Sequence, residues 1–478
     1  MKRRTYVIIT GLVLIFVAGA FWITNSTNQS DQKATQTEPL KKTSPANVKT
    51  ISSEAKKTLN SLASSGADKA SISDLNQLIK ELKSYPVEKN DSGAYLQNLT
   101  ACLEAVKSYT TGKTDEKTLG KVYPAFLASE QKLSAIEKTN QYDWFYAAAA
   151  AATNQQGLKE KGVVTLTMVG DNSFGTYPET PEHLKFDNVF QKNNGNNTYV
   201  YKNCLPWFKS DDYTVINAES AFTNATKAEN KKWRIKSDPA HVAFLPASGV
   251  EAANLANNHT MDYFQVGYDD TLKAFKENNI PVFNTDAPLE TTIKGMKTVL
   301  LGYDCRMSQQ SPAYLERIVK DVKKYKKENT LVIVNMHWGV EYRETPTDYQ
   351  SQFGHAILDA GADIIMGSHP HRLESVEKYK DKYIVYSMGD FAFGADPTLL
   401  SRMTSMFQLR FTKEDNKIVL KDISIVPTYE NSDGSTTENN YQPLPVFGDD
   451  AKKIVDELNR ISKPIEGGVT EYTYFDPF

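Results

Sequence analysis

Five short stretches of the chain each end an apolar, strand-like run with residues of the types that bind metal ions. They are Gly170-Asp171, Asn217-Ala218-Glu219, Asn257-Asn258-His259, His337-Trp338-Gly339 and His369-Pro370-His371. The 478-residue chain has 7 histidines, and four of them fall inside these stretches. Carboxylates, an amide oxygen and imidazoles form a mixed ligand set that suits Mn, Fe or Zn better than calcium. The pattern predicts a site for one or two divalent ions.

Six residues of these stretches are the predicted metal ligands: Asp171, Glu219, Asn258, His337, His369 and His371. Two ions about 4 Å apart need a bridging carboxylate, and Glu219 is predicted to be that bridge. One residue separates His369 from His371, so their rings can face neighbouring ions. Surface histidines that bind no metal are the competing interpretation of this His-x-His loop.

His259 is predicted to be catalytic rather than a metal ligand. Two side chains leave one turn here, so Asn258 can bind an ion while His259 faces the substrate. A free imidazole beside the ions could protonate a leaving group or stabilise developing negative charge. The alternative is that these side chains only cap a helix or close a turn.

A local cluster of cations surrounds Trp233 between the Glu219 and His259 stretches. Arg234 and Lys236 of this cluster are predicted to hold an anionic substrate, and a solvated loop is the alternative. The whole chain offers no field that would gather a polyanion, because its 55 basic and 58 acidic residues leave a net charge of -3. We therefore expect no nucleic-acid partner.

The elements that must position these residues follow Gly162, where apolar runs alternate with amphipathic stretches. The predicted strands cover residues 163–169, 213–216, 250–255, 331–334, 362–366 and 383–388, followed by a hairpin over 406–411 and 418–425. The predicted helices cover residues 268–278 and 314–325. This alternation predicts an α/β domain over 161–430 whose ligands bind beyond the carboxyl ends of the strands. Residues 431–478 are predicted to pack back on it as an extension.

Residues 51–160 are predicted to form a small all-helical domain. Leu75, Leu78, Ile79 and Leu82 follow the helical period, and Ser73 or Asp74 is the expected N-cap. The 3 cysteines lack metal or redox spacing and are expected to be free thiols.

The N-terminal segment predicts attachment to the cell membrane. Lys2, Arg3 and Arg4 precede an uncharged apolar run, so residues 1–5 are expected in the cytoplasm and residues 6–24 across the bilayer as a single transmembrane helix. A cleaved signal peptide is the alternative, because Ala18-Gly19-Ala20 is a small-x-small site. Residues 25–50 are expected to be a flexible polar linker, and the body is expected to be extracellular.

Six motifs stand in a fixed order between residues 163 and 428: Gly170-Asp171, Asn217-Ala218-Glu219, Ala256-Asn257-Asn258-His259 with Asp262, His337-Trp338-Gly339 with Glu341-Tyr342, Gly367-Ser368-His369-Pro370-His371 and Tyr386-Ser387-Met388-Gly389-Asp390-Phe391. Together they resemble the CapA (PgsA) family of bacterial capsule and poly-γ-glutamate synthesis proteins. That family's domain is similar to the calcineurin-like metallophosphoesterases. The resemblance implies a four-layer α/β sandwich of two mixed sheets flanked by helices. It also implies partners, namely membrane-bound polyglutamate synthase or export subunits and the anionic polymer, and it makes Glu341 and Asp390 further substrate contacts.

Three departures from the metallophosphoesterase pattern bear on catalysis. Ser173 stands where the pattern Asp-x-His has a second ligand, Glu219 replaces an aspartate, and Asp390 replaces an asparagine. A metal-dependent hydrolase of phosphoesters or amides remains one hypothesis, and the presence of His259 favours it. A non-catalytic polymer-binding or assembly factor is the other, and the ligand missing at Ser173 favours it. A transferase that modifies the polymer would use the same pocket.

Overall fold

The structure is a computed structural model, and it describes residues 44–86, 88–134, 136, 138–139, 141–159, 162–306, 310–399, 401–415 and 417–478. The predicted transmembrane segment and most of the predicted linker lie outside the described residues. Within those residues, no helix is long and apolar enough to cross a membrane.

Among the described residues, the helices that precede the sheets are α1 (Pro45–Ser64), α2 (Lys69–Leu82), α3 (Asp91–Thr110), α4 (Lys117–Gln131) and α5 (Gln141–Lys159). The predicted leucine stripe is buried in α2. The predicted start of α2 is wrong. Asp68 is the N-cap of α2, because its carboxylate accepts a hydrogen bond from the Ser71 N–H, so the helix begins before Ser73. Helix α1 begins inside the predicted linker, because Ser44 caps it at Pro45.

The larger sheet has eight strands and is mixed. Its order is β16 (Leu444–Pro445), β15 (Lys417–Tyr429), β14 (Met403–Glu414), β1 (Val164–Ser173), β2 (Tyr213–Ala218), β5 (Ala252–Asn254) and β6 (Val282–Phe283), and β13 (Asp390–Phe393) also pairs with β1. The neighbouring strands β1, β2, β5 and β6 are parallel, whereas β14 and β15 form the predicted antiparallel hairpin. Strands β3 (Ala221–Phe222) and β4 (Lys236–Ser237) form a small separate sheet, and they lie between β2 and β5 in sequence.

The second sheet has six strands, and four of them are parallel. Its order is β11 (Val376–Tyr379), β12 (Lys382–Val385), β10 (Ile364–Ser368), β9 (Thr330–Trp338), β8 (Met296–Cys305) and β7 (Leu289–Ile293). The remaining helices are α6 (Phe186–Lys192), α7 (Leu205–Phe208), α8 (Phe244–Ser248), α9 (Phe264–Glu277), α10 (Pro312–Tyr325), α11 (Asp348–Asp359) and α12 (Asp449–Ser462), and there are 3₁₀ turns at Glu182–Leu184 and Pro239–Ala243.

Successive side chains of a strand point to opposite faces of its sheet, so alternate residues pack in different hydrophobic cores. Leu331 and Ile333 of β9 share a core with Leu166 and Met168 of β1, so the two sheets face each other there. Val332 on the opposite face of β9 packs in a core with helices α10 and α11. The prediction of a mixed α/β fold with several sheets and helices is confirmed. The closer likeness to metallophosphoesterases and the domain boundaries stay predictions.

Candidate metal centre

Asp171 and Glu219 lie at the carboxyl ends of the neighbouring strands β1 and β2, and both are fully buried. The Asp171 carboxylate accepts hydrogen bonds from Asn217 Nδ2 at 2.6 Å and from the His369 N–H at 3.0 Å. Among the described residues, neither carboxylate oxygen of Glu219 has a hydrogen-bond partner. Because a buried carboxylate without a partner is costly, this arrangement fits a site in which a cation supplies the missing contacts.

The environment of these two acids shifts their pKa values far from the usual range. Burial raises the pKa of Asp171 to about 8, and the nearby Glu219 carboxylate adds to the shift. Burial likewise raises the pKa of Glu219 to about 8. A divalent cation would favour the ionised form of both, because an opposite charge at contact distance lowers the pKa of an acid.

Three histidines converge on these carboxylates from the second sheet. His337, the eighth residue of β9, has Nε2 3.4 Å from Glu219 Oε1 and 2.6 Å from Asn258 Oδ1. The loop after β10 brings His369 and His371 to the same place. These two residues, on either side of Pro370, have positive φ angles of 98° and 58°, which are strained for residues other than glycine. Among the described residues, the buried His369 Nδ1 has no hydrogen-bond partner. All six predicted ligands therefore meet at one site.

The ligand atoms fall into two groups that share Glu219. Asp171, Glu219 and His371 form one group, and Glu219, His337 and His369 form the other, with the ligand atoms of each group within 4.8 Å of one another. A shared carboxylate between two such groups is the arrangement that a dinuclear centre requires. Glu341 also approaches His369 and His371 closely enough to form an alternative group, although its side chain is exposed.

His259 lies beside this centre with one ring nitrogen already engaged. Its Nδ1 is 2.7 Å from Asp262 Oδ2, while Nε2 is 3.8 Å from Glu219 Oε1. Burial lowers the pKa of His259 to about 4, even though Asp262 opposes the shift. When His259 Nδ1–H donates a hydrogen bond to the Asp262 carboxylate, the Nε2 lone pair is left facing the centre. In the sequence Asp262 is recognisable only as part of the motif that contains His259. Its position three residues after His259 is the feature that indicates a contact between the two side chains.

Ser173 does not take the place of the missing ligand. The residue is fully buried at the end of β1. Its hydroxyl accepts a hydrogen bond from the Ala395 N–H at 3.2 Å and lies 3.4 Å from the Gly175 carbonyl oxygen. The serine therefore binds the adjacent backbone and offers no side chain that reaches toward an ion.

Comparison with known proteins agrees with the motifs. The family model "Bacterial capsule synthesis protein PGA_cap" matches residues 165–395. The capsule biosynthesis protein CapA of Bacillus anthracis is 31% identical over 306 residues, which are 59% of this chain and 71% of the relative. The PGA biosynthesis protein CapA of Bacillus subtilis (strain 168) is 31% identical over 270 residues, 52% of this chain and 68% of the relative. The chain belongs to the CapA family. A more distant relative, a probable polyglutamine synthesis accessory protein of Mycobacterium tuberculosis, is 26% identical over 208 residues, 37% of this chain and 55% of the relative.

In this CapA-family chain, the matched region contains every predicted metal ligand and His259, and it excludes the helices α1 to α5. A cavity of about 680 Å³ opens beside the centre and is lined by Asn258, His259, His371, Asp390 and Glu341 among others. The predicted contacts Asp390 and Glu341 thus face it. Its volume is that of a site for a small molecule or for a short piece of a polymer.

The cations that line this cavity differ from the predicted ones. Arg234 donates from Nη2 to Glu179 Oε1 at 3.1 Å, and Lys236 donates to the Ala225 carbonyl oxygen and lies over the Tyr263 ring. Neither residue lines the cavity, so their role as substrate contacts stays a prediction. The lining cations are Lys231, Lys232 and Arg306.

An aromatic pair forms part of the cavity mouth. The rings of Tyr177 and Trp233 are 4.7 Å apart, and the Lys232 ammonium lies 4.2 Å from the centre of the Trp233 ring. Trp233 is 48% exposed, which leaves much of its surface available for contact. The mouth of the CapA-family cavity therefore combines positive charge with apolar surface.

Proposed function

We propose that this protein takes part in the synthesis or export of a poly-γ-glutamate capsule, as a membrane-anchored extracellular component whose metal centre hydrolyses a phosphoester or an amide. The capsule role is supported by family membership and by the names of the Bacillus relatives. The membrane anchor is supported by the basic residues before the apolar run at 6–24. Membrane-bound polyglutamate synthase or export subunits are the proposed partners, and the anionic polymer is the proposed ligand.

The observation that carries the hydrolase proposal is the buried Glu219 carboxylate, which has no hydrogen bond among the described residues and is shared by two ligand groups beside His259. Bound divalent ions, Mn, Fe or Zn, would polarise the scissile group and make a water nucleophilic near neutral pH. The chain's own residues would do the rest. Asp262 holds the His259 ring in the tautomer with the proton on Nδ1, so His259 Nε2 would accept the proton that the attacking water releases and pass it to the leaving group.

The cations on the cavity wall are the groups that would bind an anionic substrate. Lys231 donates from Nζ to the Asn258 carbonyl oxygen at 2.9 Å and forms a salt bridge with Asp262, so its charge is held next to His259. The guanidinium of Arg306 is held by both carboxylate oxygens of Asp304, at 2.9 and 2.8 Å. These fixed cations would attract the carboxylates of a polyglutamate chain or the oxygens of a phosphoester.

The second candidate function is a polymer-binding or assembly factor without catalysis. Ser173 favours it, because its buried hydroxyl cannot complete the ligand set of one ion. Under this alternative the centre and the cationic cavity mouth would bind polymer and hold it for the partner subunits.

An assay of the full-length protein in detergent separates the two functions. We expect His259→Ala to keep its metal and to lower kcat on a phosphoester or on polyglutamate by about 10²- to 10⁴-fold, because a proton donor is lost while the ligands remain. His355→Ala is the matched control, because His355 is engaged with Glu377 at 2.6 Å and stacks on Tyr379 outside the cavity. A wild-type protein that holds metal and binds polyglutamate without turnover would support the assembly factor. Equal turnover by His259→Ala would contradict the assigned role.

A further inference from the structure

A second cluster of acids lies at the cavity wall, outside the two groups that share Glu219. Asp390 begins β13, Asp396 follows that strand, and Glu430 follows β15. Their exposed fractions are 4%, 5% and 0%, and one carboxylate oxygen from each lies within 4.8 Å of the others. The family model ends at residue 395, so two of the three acids lie outside the region that defines the family.

Glu430 is buried with half of its carboxylate unsatisfied. Its Oε1 accepts a hydrogen bond from Asn439 Nδ2 at 2.9 Å, whereas Oε2 has no hydrogen-bond partner in the part of the chain that the structure describes. The positive charge of Arg402 acts on Glu430, but its guanidinium donates to Asn431 Oδ1 and stacks on the Tyr429 ring. A buried carboxylate oxygen beside two further acids needs either a proton or a cation.

We propose that Asp390, Asp396 and Glu430 bind a hard divalent cation of the Ca²⁺ class, separate from the dinuclear centre. The donor set decides the class of ion, because it contains carboxylate oxygens and no imidazole. Ca²⁺ takes six to eight oxygen ligands, and water can supply those that the three acids leave open. Asp390 and Asp396 line the cavity, which gives the ion and its water a path from solvent.

The cation would connect the cavity wall to the rest of the fold. Asp390 Oδ1 is 2.9 Å from His371 Nδ1, so an ion on the remaining oxygen of Asp390 would fix the carboxylate that orients His371. It would also join the segment after β13 to the end of β15. Added positive charge at this wall would offset Glu179 and Glu341, which line the same cavity. The site does not depend on the proposed hydrolysis.

Calcium binding by the full-length protein tests this proposal. After the protein is stripped with a chelator, equilibrium dialysis with ⁴⁵Ca²⁺ as the only divalent ion is expected to give one bound ion per chain. Glu430→Gln keeps the shape of the side chain and the bond from Asn439, so we expect at least a tenfold weaker affinity from the loss of charge. Asp396→Asn is a second variant and should weaken binding by a similar factor.

Glu374→Gln is the matched control. Glu374 is also fully buried, and its Oε2 accepts from Gln350 Nε2 at 3.0 Å while Oε1 has no partner among the described residues. It belongs to none of the acidic groups found in the described chain, so its variant should bind Ca²⁺ like wild type. Glu219→Gln should also keep the calcium site while weakening the dinuclear centre.

Three outcomes would overturn the proposal. One is a wild-type protein that binds no Ca²⁺ at millimolar concentration, since a shared proton would then satisfy the acids. Another is unchanged affinity in both Glu430→Gln and Asp396→Asn. The third is loss of the bound calcium in Glu219→Gln alone, which would place the ion in the dinuclear centre.

Discussion

Two buried acids, Asp171 and Glu219, are the main reason to assign a metal centre to this protein. In the part of the chain that the structure describes, neither carboxylate oxygen of Glu219 has a hydrogen-bond partner. Burial and the Glu219 carboxylate raise the pKa of the neighbouring Asp171 to about 8. Leaving one buried polar group unsatisfied costs about 1–3 kcal/mol, and more for a charge. An ion between the histidines and these acids would remove that cost, which is the physical basis for assigning the centre.

Glu374 is expected to make the free energy of unfolding depend on pH, and it is not one of the predicted metal ligands. Burial raises the pKa of Glu374 from 4.5 to about 8. The folded state therefore binds this proton more tightly than the unfolded state, and the free energy of unfolding falls as pH rises from about 4.5 to 8, by up to about 1.4 kcal/mol per pH unit. Glu374→Gln removes the titrating group. Urea denaturation at pH 5 and pH 8 should show a smaller loss of stability in the variant, by on the order of 2 kcal/mol or more. Equal losses in the two proteins would show that Glu374 does not titrate in this range.

At the scale of the elements, strand ends position the chemistry. Asp171 and His337 lie near the ends of β1 and β9, and the other four residues follow β2, β5 and β10. The rule that ligand-type residues end apolar runs therefore predicted which side chains meet, and their binding of metal stays a prediction. Contacts between distant segments were not predictable in this way. Arg234 is held by Glu179, 55 residues away, and the strained φ of His369 depends on packing of the loop against β1. Such pairings depend on how separate elements approach each other, which periodicity does not encode.

Gly170 controls how closely β1 and β13 approach. A Cβ at this position would lie 1.8 Å from the Gly389 carbonyl oxygen, the same atom that accepts the hydrogen bond from the Asp171 N–H. We expect Gly170→Ala to destabilise the fold by about 3 kcal/mol and to lower metal content, because the strands must separate where Asp171 and Asp390 are paired. Thermal unfolding and elemental analysis measure both effects.

Gly295→Ala is the control for Gly170→Ala. Gly295 has a φ of +83°, and no described atom lies within 4 Å of the point that a Cβ would occupy there, so only the backbone cost of about 1 kcal/mol is expected. If the two variants lose the same stability and keep their metal, the close approach of β1 and β13 has no role in forming the centre.

At the scale of the whole molecule, residues 41–478 form one compact unit. Helix α5 contacts β16 and the segments that follow it. The Phe145 ring lies 5.3 Å from Phe447 and 5.1 Å from Phe478, and the Tyr146 hydroxyl donates to the Pro445 carbonyl oxygen. Lys117 of α4 forms a salt bridge with Asp476 at 2.6 Å. These contacts join the helices to the C-terminal extension.

Phe447 is the centre of this aromatic contact, with Tyr142, Phe145 and Tyr146 on one side and Phe475 on the other. We expect Phe447→Ala to lower the free energy of unfolding by about 3 kcal/mol while calorimetry still shows one transition, because the helices and sheets unfold together. Val266→Ala, at a position that is 62% exposed, should leave stability unchanged. Two separate transitions in the wild-type protein would contradict this cooperative behaviour.

For the molecule as a whole, we expect Glu219 to bridge a metal centre, and the metal content of the protein measures this. The full-length wild type, loaded with Mn²⁺ or Zn²⁺ and then dialysed, should retain between one and two ions per chain by mass spectrometry. Glu219→Gln should retain less than about a tenth of that amount, because both ligand groups lose the same negative charge. Glu374→Gln should match wild type. A Glu219→Gln protein that retains as much metal as wild type, or a wild-type protein that retains none, would contradict the account.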